Sequence, residues 1–139
     1  MTAPQRVASR PTWLLGRAHL RAQSLLHAAL AEEGLRGYHY RVLAALEENG
    51  PASQADLGRA TGIDRSDVVT TLDELVSGGL AGRAPHPTDR RRNVVTLTAR
   101  GRRRLDELDR VLDDVQEAVL APLTAAERRT LLRLLPKLG

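Results

Sequence analysis

The punctuation between Pro51 and Gly79 constrains this chain most. Pro51 has no amide hydrogen and cannot continue a preceding helix. Ser53 can cap the next one, with Asp56 three residues on, where a capping-box acid sits. Leu57 and Ala60 fall on one face, and Gly62 can take the left-handed conformation that ends a helix. Asp64 suits the N-cap of a second helix. In that helix Val68, Leu72, Leu75 and Val76 repeat at helical spacing and form a buried stripe. Gly78 and Gly79 close it. Two helices joined by a short turn containing glycine make a helix-turn-helix pattern.

The next stretch reads as a hairpin. Leu80 to Ala84 and Asn93 to Leu97 suit short strands, the second rich in Val and Thr. The connection between them holds Pro85 and Pro87, which stiffen it and exclude helix. Arg90, Arg91 and Arg92 lie at or near its tip, and Asp89 can hold one of them through a paired hydrogen bond. A fixed loop bearing guanidinium groups suits the narrow, electronegative minor groove of a duplex. The alternative is a solvated charge run, which does little for stability.

Charge distribution favours a polyanion partner. The net charge is only +4, but residues 83–104 carry eight arginines against one acid, Asp89, while residues 105–139 hold five bases and seven acids. A local basic stretch in a nearly balanced chain points to one site and not to general adhesion. On the second helix the residues off the apolar stripe are Arg65, Ser66, Asp67, Thr70 and Thr71. Arg can bind a guanine edge through two hydrogen bonds, Ser and Thr pair with several bases, and Asp accepts from a cytosine amino group. Ser53 and Gln54, at the first helix's N-terminus, suit a phosphate contact.

The stretch PASQADLGRATGIDRSDVVTTLDELVSGGL, the segment DRRRNVVTLT and Gly101 resemble the MarR family of bacterial transcription regulators. Fainter similarity reaches back to YRVLAAL and forward to LTAAERRTLLRLL. The resemblance implies a homodimeric regulator of double-stranded DNA, commonly a repressor, often released by a small ligand. Asp89 and Arg91 match the family's wing pair, in which the Arg enters the minor groove. There are departures: members often carry Arg where this chain has Thr70 and Glu74, and a Thr where it has Asp67. They also usually cap the preceding helix with a Thr where Arg36 stands here. A less basic reading helix shifts affinity towards the wing.

The expected fold is mainly α with a small β wing, a winged helix-turn-helix plus a helical dimerisation region. Residues 1–10 read as a flexible arm. Residues 11–34 and 120–139 read as the dimerisation region, 35–98 as the winged helix-turn-helix and 99–119 as a long linking helix. Leu14, Ala18, Ala22, Leu25, Leu26, Ala29 and Leu30 trace an apolar face that Gly34 ends. Tyr38, Val42, Leu43 and Leu46 mark the next helix. Thr98 can cap a helix in which Leu105, Leu108, Leu112, Val115 and Val119 repeat by three and four, up to Pro122. Thr124 and Glu127 form a capping box for a last helix with Leu131, Leu132, Leu134, Leu135 and Leu138. That helix is leucine-rich on more than one face, so a second copy of the chain is the simplest cover. Paired reading helices about 34 Å apart would then match a pseudo-palindromic site.

Several classes are excluded. The chain has no cysteine, so neither disulfides nor thiol sensing applies. No apolar run approaches the roughly 18–20 residues that span a bilayer, and the start has no signal core, which points to a cytoplasmic, nucleoid-associated protein without membrane contact. No nucleophile stands with a paired base, and no P-loop or dinucleotide fingerprint occurs, so no enzyme activity and no cofactor are expected. His19, His27, His39 and His86 form no ligand pair at helical spacing, so no metal is expected, and surface or packing roles suit all four. The family accepts aromatic acids in a cleft. The residues suited to a small aromatic or phenolic effector are Trp13, Arg17, Tyr38, His39 and Tyr40, through carboxylate pairing and ring stacking, with core packing the competing role for Trp13 and Tyr40. The competing reading is a winged helix that docks on protein without reading DNA sequence.

Overall fold

In the computed structural model, which describes residues 1–139, Ser53 begins its helix as its chemistry requires. Its Oγ accepts the amide of Asp56 at 3.1 Å, and the Asp56 carboxylate accepts the amide of Ser53 at 3.2 Å. Two amides that a helix start leaves unpaired are thereby satisfied. Helix α4, Gln54–Thr61, ends at Gly62 with φ +69°, and α5, Arg65–Ser77, follows after that turn. Gly79 (φ +74°) reverses the chain after α5.

The remaining elements are α1 (Gln5–Ala8), α2 (Pro11–Glu32), α3 (Gly37–Asn49), β1 (Ala81–Pro85), β2 (Asn93–Leu97), α6 (Ala99–Leu120), α7 (Ala125–Leu134) and a closing 3₁₀ turn, Leu135–Lys137. This is a mainly α fold with one two-stranded sheet. Gln5–Ala8 form a turn of helix within the stretch expected to be a loose arm. β1 starts one residue later than its pattern suggested. The Leu80 amide is spent on closing α5, donating to Leu75 O at 2.9 Å.

The chain forms two compact units. One comprises residues 1–29 and 112–139, the other residues 30–111. In the second unit, Leu43, Leu57, Val68, Leu72, Leu75, Val95 and Leu108 are buried almost completely. Each such side chain contributes about 1.5–3 kcal/mol through burial, which makes this aliphatic cluster the anchor of α3, α4, α5 and β2. In the first unit, Arg21 donates to the carbonyls of Ala118 and Val119 at 2.8 and 2.9 Å, and Arg128 pairs with Glu117 at 2.9 Å. Thr124 and Glu127 form the expected capping box, and the Thr124 backbone amide, followed by its hydroxyl, holds the Glu127 carboxyl below the usual glutamate range. Leu14, Leu15 and Leu20 of α2 and Leu132, Leu134, Leu135 and Leu138 near the C-terminus remain exposed. No helix is long and apolar enough to cross a membrane.

The sheet is fastened at its base. β1 and β2 pair antiparallel from Ala81–Leu97 to Pro85–Asn93. Ala52 adds a third-strand bridge, exchanging hydrogen bonds with Val95 at 2.8 and 3.0 Å. Thr98 Oγ1 accepts the Gly101 amide at 2.9 Å and donates to Gly79 O at 2.7 Å, so it both caps α6 and grips the end of α5. Gly101 is required there, because a Cβ at that position would stand 1.9 Å from Leu80 O. The LTxxG pattern is thus a close crossing of α6 over the α5–β1 turn.

Candidate nucleic-acid interface

Helix α4, the first turns of α5 and the loop end of the wing line an open groove of about 690 Å³. Of the residues expected to contact DNA, Ser53, Gln54, Arg65, Arg91 and Arg92 line it together. Ser66, Asp67 and Thr70 also lie in the first turns of α5, and Asp89 and Arg90 lie on the wing, but none of these five lines the cavity. Ser66 and Thr70 are exposed, and Asp67 is half-buried.

Local chemistry fixes several of these groups. Asp64 occupies the N-cap of α5 with extended backbone, yet its carboxylate caps no amide and accepts the Ser66 hydroxyl at 3.0 Å instead. Thr70 Oγ1 donates to Ser66 O at 3.2 Å and keeps its lone pairs available. The Ser53 hydroxyl, followed by its amide, holds the Asp56 carboxyl below the usual aspartate range despite some desolvation, with Arg59 adding a salt bridge. On the wing, Asp89 Oδ1 accepts both the amide and the Nε–H of Arg91, at 3.1 and 3.3 Å. This is the aspartate–arginine hold expected there. The Arg91 side chain remains 93% exposed.

Two expected roles are corrected. Thr71 was a candidate for base contact but is wholly buried, and its Oγ1 has no hydrogen-bond partner. It stands three residues after Val68 and one turn before Leu75, so the apolar stripe includes it. His39 was a candidate for effector contact, but its ring is buried and both nitrogens are engaged. Nδ1 accepts the Arg36 amide at 2.9 Å, and Nε2 meets Glu74 Oε2 at 2.7 Å. His39, at the third position of α3, therefore satisfies the backbone amide of Arg36, the half of a capping box that its position allows. Trp13 and Arg17 lie exposed on α2, one turn apart, and Tyr38 carries the Arg41 guanidinium 5.3 Å above its ring.

The residue that sequence reasoning missed is Val69. It is exposed, lines the cavity and follows Arg65 by four positions, on the same face of α5. An apolar residue just beside the buried stripe is the signal that marks it. Ala55, Gly58, Arg59, Ile63, Val68 and Asn93 complete the wall.

The basic stretch divides by function. Arg83 is held by Asp73 at 3.1 Å, Arg102 by Glu47 at 3.2 Å, and Arg104 by Glu33 and Glu107 at 3.0 Å each. Arg90 and Arg92 have no acidic partner in this fold. The uncompensated guanidinium groups of the hairpin thus gather at its tip, beside α5.

The MarR family model matches residues 33–92, which include the whole of α3, α4, α5 and β1. The transcriptional repressor NicR of Pseudomonas putida is 30% identical over 135 residues, spanning 97% of this chain and 85% of NicR. The chain belongs to the MarR family. It is accordingly a DNA-binding transcription regulator with a winged helix-turn-helix. Among solved MarR-type structures, BpsR of Bordetella bronchiseptica, described for the regulation of its DNA binding by 6-hydroxynicotinic acid, is similar at a TM-score of 0.83. The two share 29% identity over 98% of this chain and 97% of BpsR. A MarR mutant from E. coli complexed with operator DNA gives a TM-score of 0.80 at 25% identity, covering 98% and 99% of the two chains.

Proposed function

We propose that this MarR-family protein acts as a homodimeric repressor that occupies a pseudo-palindromic promoter site. The observation that carries this reading is the single wall formed by the N-terminus of α4, the Arg65 face of α5 and the arginines of the wing loop. Arg65 reads a guanine edge, Val69 packs on a thymine methyl, and Ser66 and Thr70 supply further hydrogen bonds to bases. Ser53 and Gln54 meet a phosphate at the α4 N-terminus, where free amides and the helix dipole favour anions. Arg90, Arg91 and Arg92 grip the minor groove and its phosphates. The exposed leucines of α2 and of the C-terminal segment support burial against a second copy.

Relief of repression by a small aromatic acid is the second part of the reading. BpsR, whose DNA binding is regulated by 6-hydroxynicotinic acid, supports this ligand class. Trp13 and Arg17 supply a stacking ring and a carboxylate partner on one helix. Such a ligand acts only by binding more tightly to a dimer whose reading helices are wrongly spaced.

The test is a mobility-shift titration with the intergenic DNA beside the protein's own gene and with a random duplex. Arg91→Ala should weaken binding to both, because a phosphate and minor-groove contact carries little sequence information. Arg65→Ala should narrow the gap between them. Equal binding of the two duplexes by the unmodified protein would defeat the proposed operator recognition.

A further inference from the structure

His86 has no part in the chemistry described above, yet the wing tip is built around it. Its amide donates to Arg92 O at 2.8 Å, extending the ladder past the Pro85–Asn93 pair. Its ring Nδ1 accepts the Thr88 amide and the Asp89 amide, both at 3.2 Å, and lies 3.1 Å from the Thr88 hydroxyl. Pro87 has no amide hydrogen, so the first two amides available after it both end on one nitrogen. Asp89 then passes the order on. Its carboxylate holds the amide and Nε–H of Arg91, and its carbonyl accepts the Arg92 amide at 3.1 Å. An amide N–H can only donate, so Nδ1 must carry the lone pair and the ring proton sits on Nε2.

We propose that His86 is a positioning residue for DNA binding, whose Nδ1 lone pair sets Asp89 and, through it, the direction of the Arg91 guanidinium. The proposal rests on the reading of Arg91 as a DNA contact. Arg91 is almost fully solvated and has no other partner, so nothing else holds its long side chain. A guanidinium already aimed loses less freedom when it meets the groove than one that must be ordered on contact. Typical turn residues reach only a neighbouring amide with a short side chain. The imidazole reaches two amides at once.

The test is fluorescence anisotropy of the protein on the intergenic duplex and on a random duplex. It compares the unmodified protein with His86→Ala, His86→Asn, Arg91→Ala and the His86→Ala/Arg91→Ala pair. Asn is informative because its side-chain oxygen can accept where Nδ1 does, without the ring. His86→Ala should weaken binding to both duplexes by about three- to tenfold, and His86→Asn should recover most of that. Adding His86→Ala to Arg91→Ala should change little, because the residue it positions is gone. Additive losses in the pair, or no recovery with Asn, would overturn the proposal, since His86 would then act independently of Arg91. Normal binding by His86→Ala with weakened binding by Arg91→Ala would sink the role of His86 and leave the wing's role standing. Normal binding by Arg91→Ala would remove both.

Discussion

His39 Nε2 lies 2.7 Å from Glu74 Oε2, and the same carboxylate accepts the Arg36 guanidinium at 2.9 and 3.1 Å, so the start of α3 is tied to the last turn of α5. Desolvation pushes the Glu74 carboxyl up, but the His39 hydrogen bond and the Arg36 charge outweigh it, and the group titrates below its ordinary value of 4.5. A carboxyl lowered in the folded state stabilises it above the ordinary value and loses that contribution as pH falls through the lower one. Glu74 is half-exposed, so solvent screening holds the effect to about 0.5–1 kcal/mol. Urea midpoints of the unmodified protein and Glu74→Gln should therefore differ near neutral pH and converge below the ordinary glutamate range. A gap that persists unchanged into acid would show that charge is not what ties the helices.

Gly101→Ala should be among the most damaging small substitutions in the chain. The new methyl would meet a backbone carbonyl, Leu80 O, at 1.9 Å, and Leu97 Cδ1 at 2.8 Å, and the carbonyl cannot rotate away. Overpacking of this kind costs about 1–3 kcal/mol and more where backbone must shift, so a loss of about 3 kcal/mol or outright misfolding is expected. Gly58→Ala is the control. A Cβ there finds only ordinary contacts at 3.7 and 3.9 Å, and the exchange should gain about 0.5–1 kcal/mol from helix propensity. Chemical denaturation of the two variants should move the midpoint in opposite directions.

Thr71→Val should stabilise the protein without touching DNA recognition. The buried Oγ1 has no partner, and replacing the hydroxyl by a methyl of similar shape removes an unpaired polar group worth about 1–3 kcal/mol. Valine keeps the branching that packs against the stripe. A higher melting temperature with unchanged operator affinity is the expected pair of results. A loss of sequence preference would restore Thr71 as a base contact.

What was legible in the chain follows from how local each signal is. The capping boxes at Ser53 and Thr124 and the glycine stops at Gly62 and Gly79 depend on a few neighbouring residues, and they appear where the residue types place them. The helical stripe of α5 is legible too, although the hydroxyl of Thr71 suggests a base contact where its position in the stripe buries it. The Ala52–Val95 bridge, the Arg36–His39–Glu74 network and the pairing of Arg83 with Asp73 join residues distant in sequence, and no local pattern announces them. The arginine run read as one basic patch. The fold shows instead that it mixes ion-paired arginines, Arg83, Arg102 and Arg104, with guanidinium groups that have no acidic partner, Arg90 and Arg92 at the wing tip and Arg100 and Arg103 on α6, a distinction set by which acids tertiary packing brings near.

The most direct test of the account is the salt dependence of operator affinity, measured as log K against log salt for the unmodified dimer and for Arg91→Ala. Each phosphate neutralised contributes roughly 0.9 to the slope, so the unmodified protein should lose affinity steeply. The variant's slope should be shallower by roughly one for each wing, about two for the dimer. Parallel slopes for the two proteins, or binding by the unmodified protein that ignores salt, would contradict a wing that grips the DNA backbone.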